Sequence, residues 1–175
     1  MKKWIAGLVL LSFMGCLGDD DFPEYNPAEQ LEIDIAAIDQ HLEEKNITAV
    51  VDEQSGIRYL LLEDGNTTEA TDGDVVDVDY ELYNFEDELL DTSIESVAQD
   101  GGIHDADRDY EPLRFTIGTN GIIPGFQRSA VLLTEGGKGD FYIPSVWCYQ
   151  NYGSGKIAPN ENLRFVIKLV KVNPE

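Results

Sequence analysis

The sequence predicts an α+β protein in which an antiparallel β-sheet is combined with two helices. Residues 74–83 and 163–172 alternate apolar residues with charged or polar ones. A period of two is typical of a strand with one buried and one solvated face, which antiparallel sheets accommodate. Residues 27–46 instead repeat their apolar residues at helical spacing, and Pro124 opens a second, shorter helical segment.

The composition restricts the class of protein. The chain has 175 residues, of which 42% are hydrophobic, and its net charge is −22. This length suits one domain with a short appendage, and the hydrophobic content is sufficient for a core. Nucleic acids and anionic lipid surfaces attract clusters of lysine and arginine. The acidic balance therefore argues against both as direct partners.

Cysteine and histidine are too scarce to suggest metal or nucleophilic catalysis. The chain contains Cys16, Cys148, His41 and His104, with no CxxC motif and no Cys/His cluster. The pattern therefore gives no support to a zinc site, and almost none to a Ser-His-Asp or Cys-His arrangement. Cys148 is expected to behave as a small buried hydrophobe.

Residues 1–15 are typical of a secretory signal peptide. Met1-Lys2-Lys3 is a positively charged start, and the apolar run that follows is shorter than the about 20 residues needed to span a bilayer. The run ends in FMGC, which resembles a bacterial lipobox with Cys16 as the lipidated N-terminus. We therefore expect a lipid anchor at Cys16 in the cell envelope, most simply in the outer membrane, facing the periplasm or the surface. The alternative is a signal cleaved near Gly15 that leaves Cys16 as a free thiol.

Residues 16–26 are predicted to form an acidic tether after the lipidated cysteine. Asp19-Asp20-Asp21 follows Cys16 closely and resembles the export tags of some outer-surface lipoproteins. A tether that is simply solvated is the equal alternative.

Residues 27–46 are predicted to form an amphipathic helix. Asn26 can cap it, Pro27 suits its first position, and Lys45-Asn46 suits its end. One apolar stripe is made of Leu31, Ile35, Ile38 and Leu42. The acidic side chains expected on the other faces are Glu32, Asp34, Asp39 and Glu43. The stripe is expected to pack on the domain, with packing on a partner as the alternative.

Residues 48–175 are predicted to form one β-rich domain. The expected strands lie at residues 48–52, 57–63, 74–83, 113–117, 141–144 and 163–172, the expected helix at 124–133, a turn at 136–140, and an aromatic loop at 145–159. In the segment FTIGTNGIIPGF, Ile122 and Ile123 occupy a short bend just before the helix that begins at Pro124. This placement suits the wall of an apolar pocket, and an ordinary joint with buried isoleucines is the alternative.

Several short motifs follow one another in order between Ile57 and Val172. They are Gly73-Asp74-Val75-Val76, Leu90-Asp91, Phe115-Thr116-Ile117-Gly118, Ile122-Ile123-Pro124-Gly125-Phe126, Ile143-Pro144, Tyr152-Gly153 and IAPNENLRF at residues 157–165. As an ordered set they resemble an FKBP-type peptidyl-prolyl cis–trans isomerase domain. The lipobox and the leading helix resemble those of envelope-anchored members of that family.

The resemblance implies a strongly bent antiparallel sheet wrapped around one short helix, with an apolar pocket beneath a flap loop. It assigns catalytic roles to Tyr80, Asp91, Ile123, Phe126, Tyr152 and Phe165. It assigns substrate-binding roles to Leu90, Leu113, Ile122, Tyr149 and Ile157. Phe126 would be the floor, the backbone N–H of Ile123 would bind a ligand carbonyl, and Tyr80 and Asp91 would make polar contacts at the rim.

The implied activity is isomerisation of X–Pro bonds by a folding helper in the bacterial cell envelope. Such bonds isomerise in tens to hundreds of seconds without a catalyst, because resonance holds the amide planar. An apolar pocket stabilises the charge-separated planar form less well than water does, whereas the twisted transition state has lost that resonance. No nucleophile, metal or cofactor is required. The implied ligands are proline-containing polypeptides and FK506-like macrolides.

The sequence departs from the family pattern at the pocket. Phe126 replaces the usual tryptophan floor, and Leu90 and Leu113 stand where phenylalanines are common. The segment before Tyr152 is longer than usual, so Tyr149 is a second candidate for the flap tyrosine. A smaller and less aromatic pocket is expected to bind proline more weakly, which concerns the turnover rate more than the fold. The alternative function is a catalytically weak FKBP-like module that binds peptides or a partner protein.

The acidic segment 94–110 lacks periodicity and is expected to be an expanded loop. Asp105, Asp107 and Asp109 alternate in it as ligands of a calcium loop would. An EF-hand is excluded, because Tyr110 stands at the glycine position and Thr116 at the twelfth. A calcium site of another kind remains the alternative to a solvated acidic loop.

Overall fold

The computed structural model describes residues 24–173, and its architecture confirms the predicted α+β class. The helices are α1 (Pro27–Glu44), α2 (Glu95–Asp100) and α3 (Pro124–Val131), and a 3₁₀ turn covers Ser145–Trp147. The strands are β1 (Val50–Val51), β2 (Arg58–Glu63), β3 (Val75–Tyr83), β4 (Leu89–Thr92), β5 (Leu113–Thr116), β6 (Lys138–Ile143) and β7 (Leu163–Val172). The predicted signal peptide, Cys16 and most of the acidic tether lie outside the described residues.

The strands of the described region pair in one antiparallel sheet. Their order is β1-β2-β6-β7-β3-β4, and β5 pairs with the other end of β3. The β3–β7 pairing runs from Val76 opposite Val172 to Tyr83 opposite Arg164. Register shifts interrupt the β2–β6, β3–β4 and β3–β7 pairings. Such bulges bend strands, which agrees with the bent sheet that we expected.

Helix α3 packs into the main core of the domain. The alternating residues of β3 and β7 face this core as predicted, and Phe126 and Ala130 of α3 pack among them. Gly125 permits the close approach, because a Cβ atom there would lie 2.4 Å from the side chain of Ile143. The core thus fixes the helix directly after the Ile122–Ile123 bend.

Helix α1 packs in a second apolar cluster, around β6. Asn26 caps it by accepting hydrogen bonds from the N–H groups of Ala28 and Glu29. Ile38 and Leu42 are buried against Tyr142, which is 1% exposed. Neighbouring residues of β6 point to opposite faces of the sheet. Since Phe141 is fully buried in the main core, β6 is covered on both faces.

One acidic residue of α1 is buried. Asp34 was expected on a face other than the apolar stripe, and it is 1% exposed there. The helix packs against the Ser145–Trp147 turn as well as against β6. This second contact buries the side of α1 that carries Asp34, and the carboxylate is satisfied there by hydrogen bonds from the turn.

Two boundaries also differ from the expectations. The segment 94–110 contains the short helix α2, which packs on β4 and buries Ala98. Strand β6 begins at Lys138, inside the stretch expected to be a turn. There Gly139 and Asp140 pair with β2 and β7, so long-range pairing overrides the local turn preference of glycine and aspartate.

Candidate active site

A cavity of about 190 Å³ opens between α3, β3 and the loop after the 3₁₀ turn. It is lined by Tyr80, Leu82, Asp91, Leu113, Gly121, Ile122, Ile123, Phe126, Tyr149 and Phe165. Eight of the eleven residues predicted for the site are therefore brought together around one space. The larger hollow of about 720 Å³ near α2 contains Tyr83 as its sole aromatic residue, beside Asp87, Glu88, Asp100 and Lys156.

Three aromatic rings form the apolar base of the cavity. The ring of Phe126 meets Tyr80 nearly edge-to-face, with centroids 5.6 Å apart, and lies 5.4 Å from Phe165. Phe115 supports Phe126 from the core side, at 5.8 Å. Edge-to-face contacts of this kind hold rings in place beyond simple burial. Phe126 is therefore a rigid floor, although it is smaller than a tryptophan.

The polar side of the cavity is formed by Tyr80 and Asp91, which are hydrogen-bonded to each other and to Arg108 outside the lining. The hydroxyl of Tyr80 donates to Oδ2 of Asp91 at 2.6 Å, and Arg108 donates to Oδ1 of Asp91. A further Arg108 nitrogen lies 3.3 Å from the Tyr80 oxygen. Burial, followed by the bond to Asp91, raises the pKa of Tyr80 to about 12. Tyr80 therefore remains a neutral phenol at physiological pH.

Arg108 is a site residue that the sequence analysis missed. Its hydrogen bond to Asp91 raises its pKa, so the guanidinium is permanently charged. Its guanidinium also lies 5.1 Å from the ring of Tyr110, which orders the acidic loop beside the cavity. The sequence did contain a signal for Arg108, because it is the one lysine or arginine in the acidic segment 94–110.

The bend at Ile122–Ile123 presents a free backbone donor. Within residues 24–173, nothing accepts a hydrogen bond from the N–H of Ile123. Gln127 holds the bend by accepting from Gly118 N–H at 2.8 Å and donating to the carbonyl of Ile122 at 2.9 Å. Gln127 is a second residue that the sequence analysis missed. The fixed bend leaves the Ile123 N–H available to a ligand.

Tyr149, and not Tyr152, lines the cavity. Burial raises the pKa of Tyr149, and the charge of Asp91 raises it further. Tyr152 is 81% exposed. Its backbone N–H bonds to the carbonyl of Tyr149, so the longer segment after Pro144 forms a turn that carries Tyr152 away from the cavity.

Leu90 and Ile157 also do not line the cavity, although both pack at the margin of the main core. Asp91 takes the cavity side of β4, and side chains of successive strand residues diverge. Ile157 is held in a tight turn by paired backbone bonds with Ser154, at 2.8 and 2.9 Å.

No group of three or more His, Cys, Asp or Glu side chains in residues 24–173 is arranged to hold a metal ion. Within the same residues, no helix combines the length and the apolar character needed to cross a membrane.

Comparison with known proteins identifies the family. The family model for the FKBP-type peptidyl-prolyl cis-trans isomerase matches residues 66–170. A probable FKBP-type peptidyl-prolyl cis-trans isomerase FkpA of Neisseria meningitidis serogroup B is 37% identical over 119 residues, which are 67% of this chain and 38% of the relative. A short-type peptidyl-prolyl cis-trans isomerase of Methanocaldococcus jannaschii is 38% identical over 72 residues, or 41% of this chain and 45% of the relative. The chain belongs to the FKBP-type peptidyl-prolyl cis–trans isomerase family, and it spans less than half of the length of these two relatives.

Solved structures agree on the fold. FkpA from Escherichia coli superposes with a TM-score of 0.62 at 24% identity, over 85% of this chain and 63% of that one. A peptidyl-prolyl cis-trans isomerase from Pseudomonas syringae pv. tomato gives 0.60 at 20% identity, over 86% of this chain and 98% of that one. At such identities the likeness concerns the fold alone.

Proposed function

We propose that the protein is an active peptidyl-prolyl cis–trans isomerase that assists protein folding. The observation that carries the proposal is the N–H of Ile123, which has no acceptor within residues 24–173 and lies beside an aromatic floor. A proline ring would lie on Phe126, and the preceding carbonyl would accept the hydrogen bond from Ile123. Family membership supports this reaction class.

The catalytic step follows from the polarity of the cavity. Its floor and walls are apolar, so they stabilise the charge-separated planar amide less well than water does. The twisted transition state lacks that charge separation, so it loses less solvation free energy than the planar amide does on transfer from water to the cavity. Tyr149 carries a hydroxyl group that can donate to the carbonyl of the twisted peptide, whereas the hydroxyl proton of Tyr80 is already donated to Asp91. No group in this account takes or gives a proton.

The test is the rate of cis–trans exchange in a short Xaa-Pro peptide, followed by NMR with catalytic amounts of the full chain. We expect accelerated exchange that a proline-mimetic macrolide of the FK506 type inhibits by competition. A folded chain that binds the peptide without accelerating exchange would support the alternative, a peptide-binding module. The small Phe126 floor is the observation that favours that alternative.

We further propose that the protein acts in the cell envelope, anchored by a lipid on Cys16. The support is the charged start, the short apolar run and the FMGC motif of residues 1–16. We expect the wild-type chain to fractionate with membranes and Cys16→Ser to fractionate with soluble proteins. Equal membrane association of the two forms would contradict the anchor.

A further inference from the structure

Asp34 is a buried carboxylate that the proposed reaction does not use. It lies on α1 and is 1% exposed. Burying a carboxylate is costly unless several donors satisfy it. Here Oδ1 accepts from Gln30 at 2.8 Å, and Oδ2 accepts from the Ser145 hydroxyl at 2.7 Å and from the Val146 N–H at 3.2 Å. The carboxylate therefore joins α1 to the 3₁₀ turn Ser145–Trp147.

The far end of the same loop is tied to the same place. The side chain of Asn162 accepts from the N–H of Ser145 at 2.9 Å and donates to the backbone carbonyl of Asp34 at 3.2 Å. Asn162 directly precedes β7. Both ends of the segment 145–162, which we term the flap segment, thus meet at Asp34.

The turn held by Asp34 leads directly to Tyr149. The N–H groups of Cys148 and Gln150 both bond to the carbonyl of Ser145, at 2.9 and 3.0 Å. Tyr149 lies between these two residues, so its backbone direction is set by the position of Ser145. Its side chain lines the cavity.

We propose that Asp34 is a positioning residue, which holds the flap segment so that Tyr149 faces the bound proline peptide. This inference rests on the proposed function of the cavity. It makes α1 a part of the site and not merely a cover for the sheet.

Helix α1 also supplies a matched control. Asp39 accepts two hydrogen bonds from Arg58 of β2, at 2.7 and 2.8 Å. This ion pair anchors α1 to the sheet, and within residues 24–173 neither of its side chains forms a hydrogen bond to the flap segment. Asp39→Asn should therefore weaken the docking of α1 without moving Tyr149.

The experiment measures peptide exchange kinetics and backbone hydrogen exchange on the full chain. For Asp34→Ala we expect KM for the Xaa-Pro peptide to rise about five-fold, with kcat changed less than about two-fold. Amide exchange in the flap segment should accelerate about ten-fold, while β3 remains unchanged. Asp34→Asn keeps one oxygen acceptor, so its KM and its amide exchange in the flap segment should be close to those of the wild type. In a Tyr149→Phe background, Asp34→Ala should add little to KM.

Equal effects of Asp34→Ala and Asp39→Asn on KM and on flap exchange would overturn the positioning role. If Asp34→Ala is too unstable to purify, Ser145→Ala removes the 2.7 Å bond alone and should show the same pattern in weaker form. A wild-type chain without isomerase activity would refute the proposed function. The hydrogen-exchange comparison would still decide whether Asp34 orders the flap segment.

Discussion

At the scale of single residues, the polar rim of the cavity depends on Asp91. This carboxylate accepts from both Tyr80 and Arg108, so it fixes the positions of a phenol and a guanidinium beside the cavity. Arg108 lies in the acidic loop, 17 residues after Asp91 in the chain. The rim is thus built by contacts between β3, β4 and the acidic loop.

We predict that Asp91→Asn lowers kcat/KM about ten-fold, because hydrogen bonds to a charged group contribute roughly 1.5–3 kcal/mol. The measurement is peptide exchange by NMR. Asp77→Asn is the matched control, since Asp77 also accepts from an arginine, Arg114, through two hydrogen bonds of 2.7 and 2.8 Å. Neither residue of that pair lines the cavity. A similar loss of activity in both variants would show that ion pairing, and not the rim, is responsible.

A second prediction separates the two flap tyrosines. Tyr149→Phe should raise KM about five-fold through the loss of one hydrogen bond to the peptide. Tyr152→Phe should leave KM unchanged, since Tyr152 is 81% exposed and lies off the cavity. Steady-state kinetics of both variants check this, and the reverse order would show that the loop closes differently on a bound peptide.

At the scale of the elements, α3 is held from both ends. Gln127 fastens its start to the Gly118–Ile122 bend, and Arg128 donates two hydrogen bonds to Asp52, at 2.7 and 2.8 Å. Asp52 belongs to the turn between β1 and β2 and is 8% exposed. The helix that carries Phe126 is therefore coupled to the edge of the sheet.

The Asp52–Arg128 pair predicts a pH dependence of stability. The bonds from Arg128, aided by Ser55, lower the pKa of Asp52 from 3.8 to about 2. A lowered pKa means that the folded state binds fewer protons than the unfolded state between these values. The pair therefore stabilises the fold fully above pH 4, and this contribution is lost as the pH falls toward 2.

Asp52→Asn should accordingly lower the free energy of unfolding by about 2 kcal/mol at pH 7. The difference from wild type should shrink below pH 4 and disappear near pH 2. Urea titrations at several pH values measure it. Glu53→Gln is the control, since Glu53 is exposed and makes no side-chain bond within residues 24–173. A deficit in Asp52→Asn that persists at pH 2 would contradict the linkage.

At the scale of the whole molecule, charge is the dominant property. The chain has 34 acidic and 12 basic residues, so most carboxylates have no basic partner. Unpaired like charges repel one another and destabilise the compact state, and salt screens this repulsion.

We predict that raising NaCl from about 20 to 200 mM increases Tm by roughly 2–4 °C, which corresponds to about 1 kcal/mol. Calorimetry measures the shift. CaCl2 at matched ionic strength should give the same value. A clearly larger shift with calcium would indicate specific binding at the acidic segment 94–110.

The sequence by itself determined the long strands β3 and β7, the helices α1 and α3, and the resemblance to the family. Alternation in β3 and β7 and the stripe in α1 reflect burial of one face, which is a local and periodic property. The Ile122–Ile123 bend and Phe126 also follow from contiguous motifs. These features could be predicted because neighbouring residues specify them.

Only the tertiary structure decided which side chains meet. Tyr149 rather than Tyr152 reaches the cavity because a loop has no period from which its direction could be deduced. Arg108 forms a hydrogen bond to Asp91, and Ser145 forms one to Asp34, 111 residues away in the sequence. Both bonds form because whole elements dock against each other. If only its neighbours in the sequence are considered, a charged residue in an acidic loop or on a helix is predicted to be solvated. Packing against a distant turn makes it part of a buried network instead.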